Sequence, residues 1–209
     1  MPNTKLLYCP ELGVKLRTSG INNYVTKLYD VGPGMLDGAQ TTALNQPYLS
    51  GNIAPNEKYA IKNPNGQTPG LKINFNPILF DAGKSWSVSY IVNWNCDNYT
   101  NTANIWQTLV AGSGVSGGTK ININHSGSRM VSFISKSGIF NNIGGTLNNI
   151  IGKRAILTVV GNFSSSRIEL YIDGKIFGFA SSSAMDAEFS SISFPSGTVS
   201  YCAIRDIAL

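Results

Sequence analysis

From Lys84 to the C-terminus the chain repeats one pattern: short runs in which apolar and polar residues alternate, separated by clusters of Gly, Ser and Asn. Alternation with period two places successive side chains on opposite faces of an extended strand, and runs with helical spacing are nearly missing. The stretch WSVSYIVNW sets Trp86, Val88, Tyr90, Val92 and Trp94 on one face and Ser87, Ser89, Ile91 and Asn93 on the other. One apolar and one mixed face is the mark of an antiparallel strand that covers a core with one side. IWQTLVAG, TKININH, RMVSFISKSG, AILTVVGNF, FSSISF and VSYCAIRDIAL read the same way. Each sheet built from such strands must bury its apolar face against something, so the expected fold is all-β, a two-sheet antiparallel sandwich of the jelly-roll kind.

The first eighty residues are less regular, with VGPG, NGQTPG and NFNP punctuating short apolar pieces, and they read as turns and edge strands with GLKINF a strand. Residues 1–20 are expected as an N-terminal arm and 21–209 as a single jelly-roll domain. The 209 residues, 42% hydrophobic and 13% charged, suffice for one packed core.

RIELYIDGKIFGFA, residues 167–180, carries the clearest local instruction. An Asp-Gly pair between apolar runs calls for a two-residue type I′ turn with positive φ at both central positions. Closing the hairpin there pairs Ile172 with Lys175, Leu170 with Phe177 and Ile168 with Phe179. Ile168, Leu170, Ile172, Phe177 and Phe179 are then expected to face the core, with Glu169, Tyr171, Ile176 and Gly178 opposite.

The run GKRAILTVVGNFSSSRIELYIDGKIFGFA, a Ser-rich loop, and the terminal YCAIRDIAL resemble the second half of laminin-G-like domains of the concanavalin A-like lectin/glucanase superfamily. The matching residues are Tyr171, Ile172, Asp173, Gly174 and Lys175, then Ile204, Ala208 and Leu209. LYDVGPGMLDGA is similar to that family's early Asp- and Gly-rich segment, whereas Lys153, Arg154 and Ala155 depart from its pattern at the start of the central strand. The resemblance implies a lectin-like jelly roll, and the family spans sugar binders, adhesion modules and virion proteins, a phage virion protein among the expectations.

Several chemistries find little footing. Glycosidases of the superfamily need two carboxylates about 5 to 9.5 Å apart. Glu169 and Asp173 share a strand face but stand roughly 13 Å apart along it. Asp186 and Glu188 would be ~7 Å apart if extended, a spacing open to an inverting enzyme, yet they read as solvated carboxylates in a loop before a strand. His125, the only histidine, falls in a turn, INHSGS. GSGVSG, 112–117, matches G-x-G-x-x-G, but the β-like GTKININH follows where a phosphate loop needs a helix N-terminus. Cys9, Cys96 and Cys202 are far apart and form no C-x-x-C pair; they read as buried free thiols, with one bridge between two of them left open.

The 16 basic and 11 acidic residues are thinly spread, the densest basic group being Lys153-Arg154, which argues against a nucleic-acid partner. No apolar run approaches the ~20 residues of a membrane span, and the N-terminal stretch lacks the apolar segment of a secretory signal. One polar segment, residues 93–106, gathers Trp94, Tyr99 and Trp106 with Asn95, Asp97, Asn98 and Asn101. Aromatic faces and amides suit sugar rings and hydroxyls, so these seven are the candidate glycan-binding residues; Trp94 and Trp106 also read as core or edge residues flanking a polar loop. Asp97 with loop carbonyls is the candidate for calcium, and no other cofactor is expected.

The expected function is therefore a non-catalytic virion structural, decoration or fibre-type protein, assembled in the host cytoplasm. Its expected partners are other virion proteins or copies of itself, and host glycans. The alternative is a secreted or surface carbohydrate-binding module, and the third reading a glycoside hydrolase.

Overall fold

The computed structural model describes residues 3–54, 57–63, 72–81, 83–94, 106–112, 118–124, 131–145, 147, 150, 152–194 and 197–207. Among these lie seventeen strands. The N-terminal third holds β1 (Thr4–Tyr8), β2 (Val14–Ser19), β3 (Asn22–Leu28), β4 (Gly38–Ala39), β5 (Tyr48–Ala54), β6 (Glu57–Asn63) and β7 (Lys72–Phe80). β8 (Ser85–Trp94), β9 (Trp106–Ala111), β10 (Lys120–Asn124), β11 (Val131–Ile134) and β12 (Phe140–Ile143) follow. The chain ends with β13 (Arg154–Asn162), β14 (Arg167–Ile172), β15 (Lys175–Ser181), β16 (Ala187–Ser193) and β17 (Gly197–Ile207).

The strands form two antiparallel layers. In the first, β17 pairs along one edge with β8, then β13, β14 and β15 in order. Its other edge takes β1 at Cys202–Arg205 and β6 at Gly197–Val199. Residues 4–8, within the segment expected as an arm, are thus a paired strand of this sheet. The second layer runs β2, β3, β4, β7, β16, β9, β10, β11, β12. β5 pairs with β6 on the first layer, and its bridge Tyr48↔Tyr24 to β3 links the two layers along one side.

The core lies between them. Trp86, Val88, Tyr90 and Val92 of β8 are all buried, as their alternation requires. Trp86 stands 5.2 Å from Phe133 of β11 and 5.2 Å from Phe189 of β16, ring centre to ring centre, so one strand's aromatic contacts two strands of the opposite sheet. Its indole N–H donates to the Met185 carbonyl (2.8 Å), and the Tyr90 hydroxyl donates to the Leu109 carbonyl (2.6 Å). Both polar tips are satisfied inside the core, the condition under which a buried Trp or Tyr stabilises it.

Two local irregularities alter which side chains face the core. In β7, Ile73 and Phe75 are buried and so are Ile78 and Phe80, a break in parity. The register with β16 jumps from Asn74↔Ser191 to Ile78↔Phe189, so the residues NFNP, expected as punctuation, sit inside a strand as a bulge. Pro77 lacks an N–H for the ladder and is accommodated there.

In the β14–β15 hairpin the turn is as expected, with φ of 51° at Asp173 and 77° at Gly174 and Ile172 opposite Lys175. The register then slips at Phe177, so that Leu170 faces Gly178 and Ile168 faces Ala180. A one-residue bulge sends every later side chain to the opposite face. Phe179, expected in the core, is consequently 50% exposed, with the Arg167 guanidinium 4.3 Å above its ring. Phe177 packs half-buried against the core.

Cys202 is buried and Cys9 half-buried, both as free thiols. Burial pushes the Cys202 thiol up to about 12. Cys96, His125, the glycines of 113–117, Ala208 and Leu209 lie outside the described residues.

Candidate functional site

Of the polar segment singled out in the sequence, the backbone of Trp94 closes β8 opposite Gly197, and that of Trp106 opens β9 opposite Asn124. Asn95, Asp97, Asn98, Tyr99 and Asn101 lie outside the described residues.

Asp186 and Glu188 are placed. Glu188 belongs to β16 rather than to a loop, because β16 begins at Ala187. Its carboxylate lies 3.4 Å from the Lys136 ammonium, and Asp186 accepts a hydrogen bond from the Ser137 hydroxyl (3.2 Å). The two carboxylates therefore clasp the β11–β12 turn, whose Lys136 N–H also donates to the Asp186 carbonyl (3.0 Å). Asp186, with Lys136 and Ser137, borders a groove of about 460 Å³ at the end of the sandwich where β8 begins, which Phe80, Met185, Lys84 and Phe163 also line.

The more organised polar surface is the outward face of the first sheet. Cross-strand register aligns Ala203 of β17, Ser89 of β8, Thr158 of β13 and Tyr171 of β14, and beside that row Arg205, Ser87, Val160 and Glu169. Alternation puts all eight on the side away from the core, since Val88, Tyr90, Val159, Leu170 and Ile204 between them are buried. Small residues occupy the middle strand, so Ser87 and Ser89 lie at the bottom, only 5% and 7% exposed, and longer side chains rise on either side. The result is a shallow trough.

Its walls are held by hydrogen bonds. On the β17 side Arg205 donates to the Tyr201 hydroxyl (2.6 Å) and to Ser89 Oγ (3.4 Å), and Ser89 Oγ meets Thr158 Oγ1 at 3.0 Å. On the β14 side the Tyr171 hydroxyl donates to one Glu169 oxygen (2.8 Å) and the Asn162 amide to the other (3.4 Å). That bond to Glu169 raises the Tyr171 phenol above its ordinary value.

Beyond β1 the trough is bordered by residues 30–36, a segment buckled by Asp30. Its carboxylate accepts the N–H of Leu7 (2.9 Å) and Gly32 (2.8 Å) on Oδ1, and that of Leu36 (2.8 Å) on Oδ2. Val31 N–H returns to the Leu7 carbonyl (2.9 Å), and the Tyr8 hydroxyl donates to the Leu36 carbonyl (2.5 Å). Gly34 passes so close to the Lys5 carbonyl that any side chain would strike it. Asp37 accepts the Asp30 N–H and pairs with Lys27 at 2.8 Å, and the Lys27 hydrogen bond holds the Asp37 carboxyl below the usual carboxylate value.

The hairpin reading placed Glu169 and Tyr171 on the outward face, where they are. It missed Tyr201, Arg205 and Thr158 as site residues, although alternation in YCAIRD and AILTVV puts them on the outward side; what it lacked was the register that sets them beside Ser89. Asp173 also does more than turn the chain: its carboxylate accepts the Ile156 N–H (2.8 Å), tying the hairpin to β13.

No model of a known protein family matches the chain, and no curated protein matches it. Solved structures do. The binding domain of Paraclostridial Mosquitocidal Protein 1 superposes with a TM-score of 0.60 at 13% identity, covering 99% of this chain and 48% of that one. The binding domain of botulinum neurotoxin serotype D gives 0.58 at 12% identity over 98% and 46%. The binding domain of botulinum neurotoxin DC, solved in complex with SialylT, gives 0.50 at 12% over 99% and 49%. The likeness is one of fold. This chain spans about half the length of the chains it matches, and its β-sandwich is the part they share.

Proposed function

We propose that this protein is a non-catalytic carbohydrate-binding sandwich that takes saccharides in the trough on the outward face of its first sheet. The observation that carries the reading is the trough itself: a floor of Ser87, Ser89 and Thr158 between walls bearing Tyr201 with Arg205 and Tyr171 with Glu169. Hydroxyls both donate and accept, as sugar hydroxyls do, and phenol rings offer an apolar face to the C–H side of a pyranose. Hydrolysis would ask for two carboxylates across the bond. Glu169 is the single carboxylate of the trough among the described residues, and Asp186 and Glu188 are engaged with Ser137 and Lys136 at the β11–β12 turn of the other sheet.

The finer reading is a virion structural, decoration or fibre-type protein, assembled from several copies or with other virion proteins and touching host glycans through this face. Its support is the sequence, a lectin-like sandwich with few charges. Sedimentation of the purified protein and of virions checks that reading, which a lone monomer absent from particles would refute.

The binding reading is tested on a glycan panel with the parent protein and with Ser89→Tyr, which raises a ring from the trough floor. Saccharide binding that the substitution abolishes, while cooperative unfolding is retained, is the expected outcome. Binding untouched by Ser89→Tyr would place the site elsewhere.

A further inference from the structure

We infer that the trough is selective for a saccharide bearing a carboxylate, which docks on Arg205 with its neutral end toward Glu169. This rests on the reading of the trough as a saccharide site and narrows it to a ligand class.

Arg205 is half-buried on a rigid strand in the middle of a sheet. No carboxylate among the described residues lies within ion-pair distance of it, and its partners there are two hydroxyls, Tyr201 and Ser89. A guanidinium carries five N–H donors in a planar fork, so among the described residues two hydroxyl bonds leave three donors for a ligand. Removing a cation from water without a counter-ion is costly, and a carboxylate that meets the fork offsets the cost with two parallel charge-assisted bonds. The Tyr201 bond, at 2.6 Å, holds the fork in place before any ligand arrives, so little side-chain freedom is lost on binding.

The far wall sets the orientation. Arg205, Ser87, Val160 and Glu169 are in cross-strand register, so three strand spacings of ~4.8 Å separate cation and anion by roughly 14 Å at the backbone. Glu169 is only 7% exposed and has both oxygens engaged, by Tyr171 and Asn162, so it acts on a ligand through its charge rather than by direct hydrogen bonds. It repels a second acid group and leaves neutral sugars unopposed. Between the two charges the floor is uncharged, Ser89 and Thr158 with Val160. A chain of one acidic sugar and neutral neighbours meets both ends; a polyanion such as a sulfated glycan meets Glu169 with the wrong sign.

A carboxylate of this kind comes from a uronic acid or from a sialic acid, and methyl esterification removes its charge while keeping the sugar. Titration calorimetry with cellobiouronic acid, which joins one uronic acid to a neutral glucose, with 3′-sialyllactose, with the methyl ester of each, and with the two-acid digalacturonic acid, on the parent protein and on Arg205→Gln, Arg205→Lys and Glu169→Gln, separates the cases. At least one free acid is expected to bind at least about tenfold more tightly than its ester, the scale of a charge-assisted pair. Arg205→Gln should erase that preference, and Arg205→Lys, charged but without the fork, should keep only part of it. Digalacturonic acid should bind more weakly than cellobiouronic acid, and Glu169→Gln should close that gap because the charge that turns a second acid away is gone; a gap unchanged by Glu169→Gln would overturn the orientation. Which acid binds identifies the source. Saccharide binding confined to neutral sugars, or indifferent to the ester and to Arg205, overturns this inference and leaves the broader reading standing; absence of saccharide binding in the glycan panel overturns both.

Discussion

Replacing Asp30 by Ala should free the segment that borders the trough without unfolding the sandwich. The carboxylate accepts three main-chain N–H groups, from Leu7, Gly32 and Leu36, all within 2.9 Å. Hydrogen bonds to a charged group contribute roughly 1.5–3 kcal/mol each when partly buried, but N–H groups released in a surface segment find water and the three losses are not additive. We expect about 2–4 kcal/mol of local stability to vanish. Asp30→Asn keeps one carbonyl oxygen for Leu7 and Gly32 and turns an amide donor toward the Leu36 N–H, for a cost of about 1–2 kcal/mol. Amide hydrogen exchange reads this directly: the N–H groups of Gly32 and Leu36 should exchange roughly 30- to 1,000-fold faster in Asp30→Ala, since each 1.4 kcal/mol is tenfold. The amide of Phe133, in the opposite sheet, should not change. Gly32 and Leu36 amides as protected in Asp30→Ala as in the parent would refute the carboxylate as the buckle of the segment.

Two further outcomes are expected. A Cβ at Gly161 would lie 2.6 Å from the Trp86 indole nitrogen, so Gly161→Ala must displace the ring and strain its bond to Met185, costing about 2–4 kcal/mol in urea unfolding; Trp86→Phe in the same chain should recover part of it, and additive losses would show that the two sites do not couple. The buried Cys202 thiol is raised from 9.0 to about 12, and burial raises the Tyr90 phenol too, so the fold favours their neutral forms. Their contribution is complete below pH 9 and is lost as the pH climbs toward 12, because the unfolded chain ionises first; an unfolding midpoint flat across that window would contradict the burial of these groups.

How much of this was legible beforehand depends on distance along the chain. The apolar face of β8, the Asp-Gly turn and the outward placing of Glu169 and Tyr171 follow from neighbours in sequence, where period two and positive φ act on a few residues at a time. The bulge at Phe177 was not legible, because it answers to packing against the core rather than to anything in the hairpin, and it alone moves Phe179 from the core to the surface. NFNP read as a break in the chain since proline is expected outside a ladder; the strand continues because β16 offers a register that absorbs the extra residues.

Sequence by itself determined that the chain is a sandwich of antiparallel strands and which side of most strands is apolar, because alternation is a local property and an apolar face must be covered. Only the tertiary structure decided what stands beside what on the outward side. Arg205 meets Ser89 across 116 positions of sequence, and Ser89 meets Thr158 across 69, through the register of β17, β8 and β13. A one-residue change in that register would turn Trp86 away from Phe133 and Phe189 and the serines into the core, so the polar row is tied to packing on the opposite face that no single strand contains.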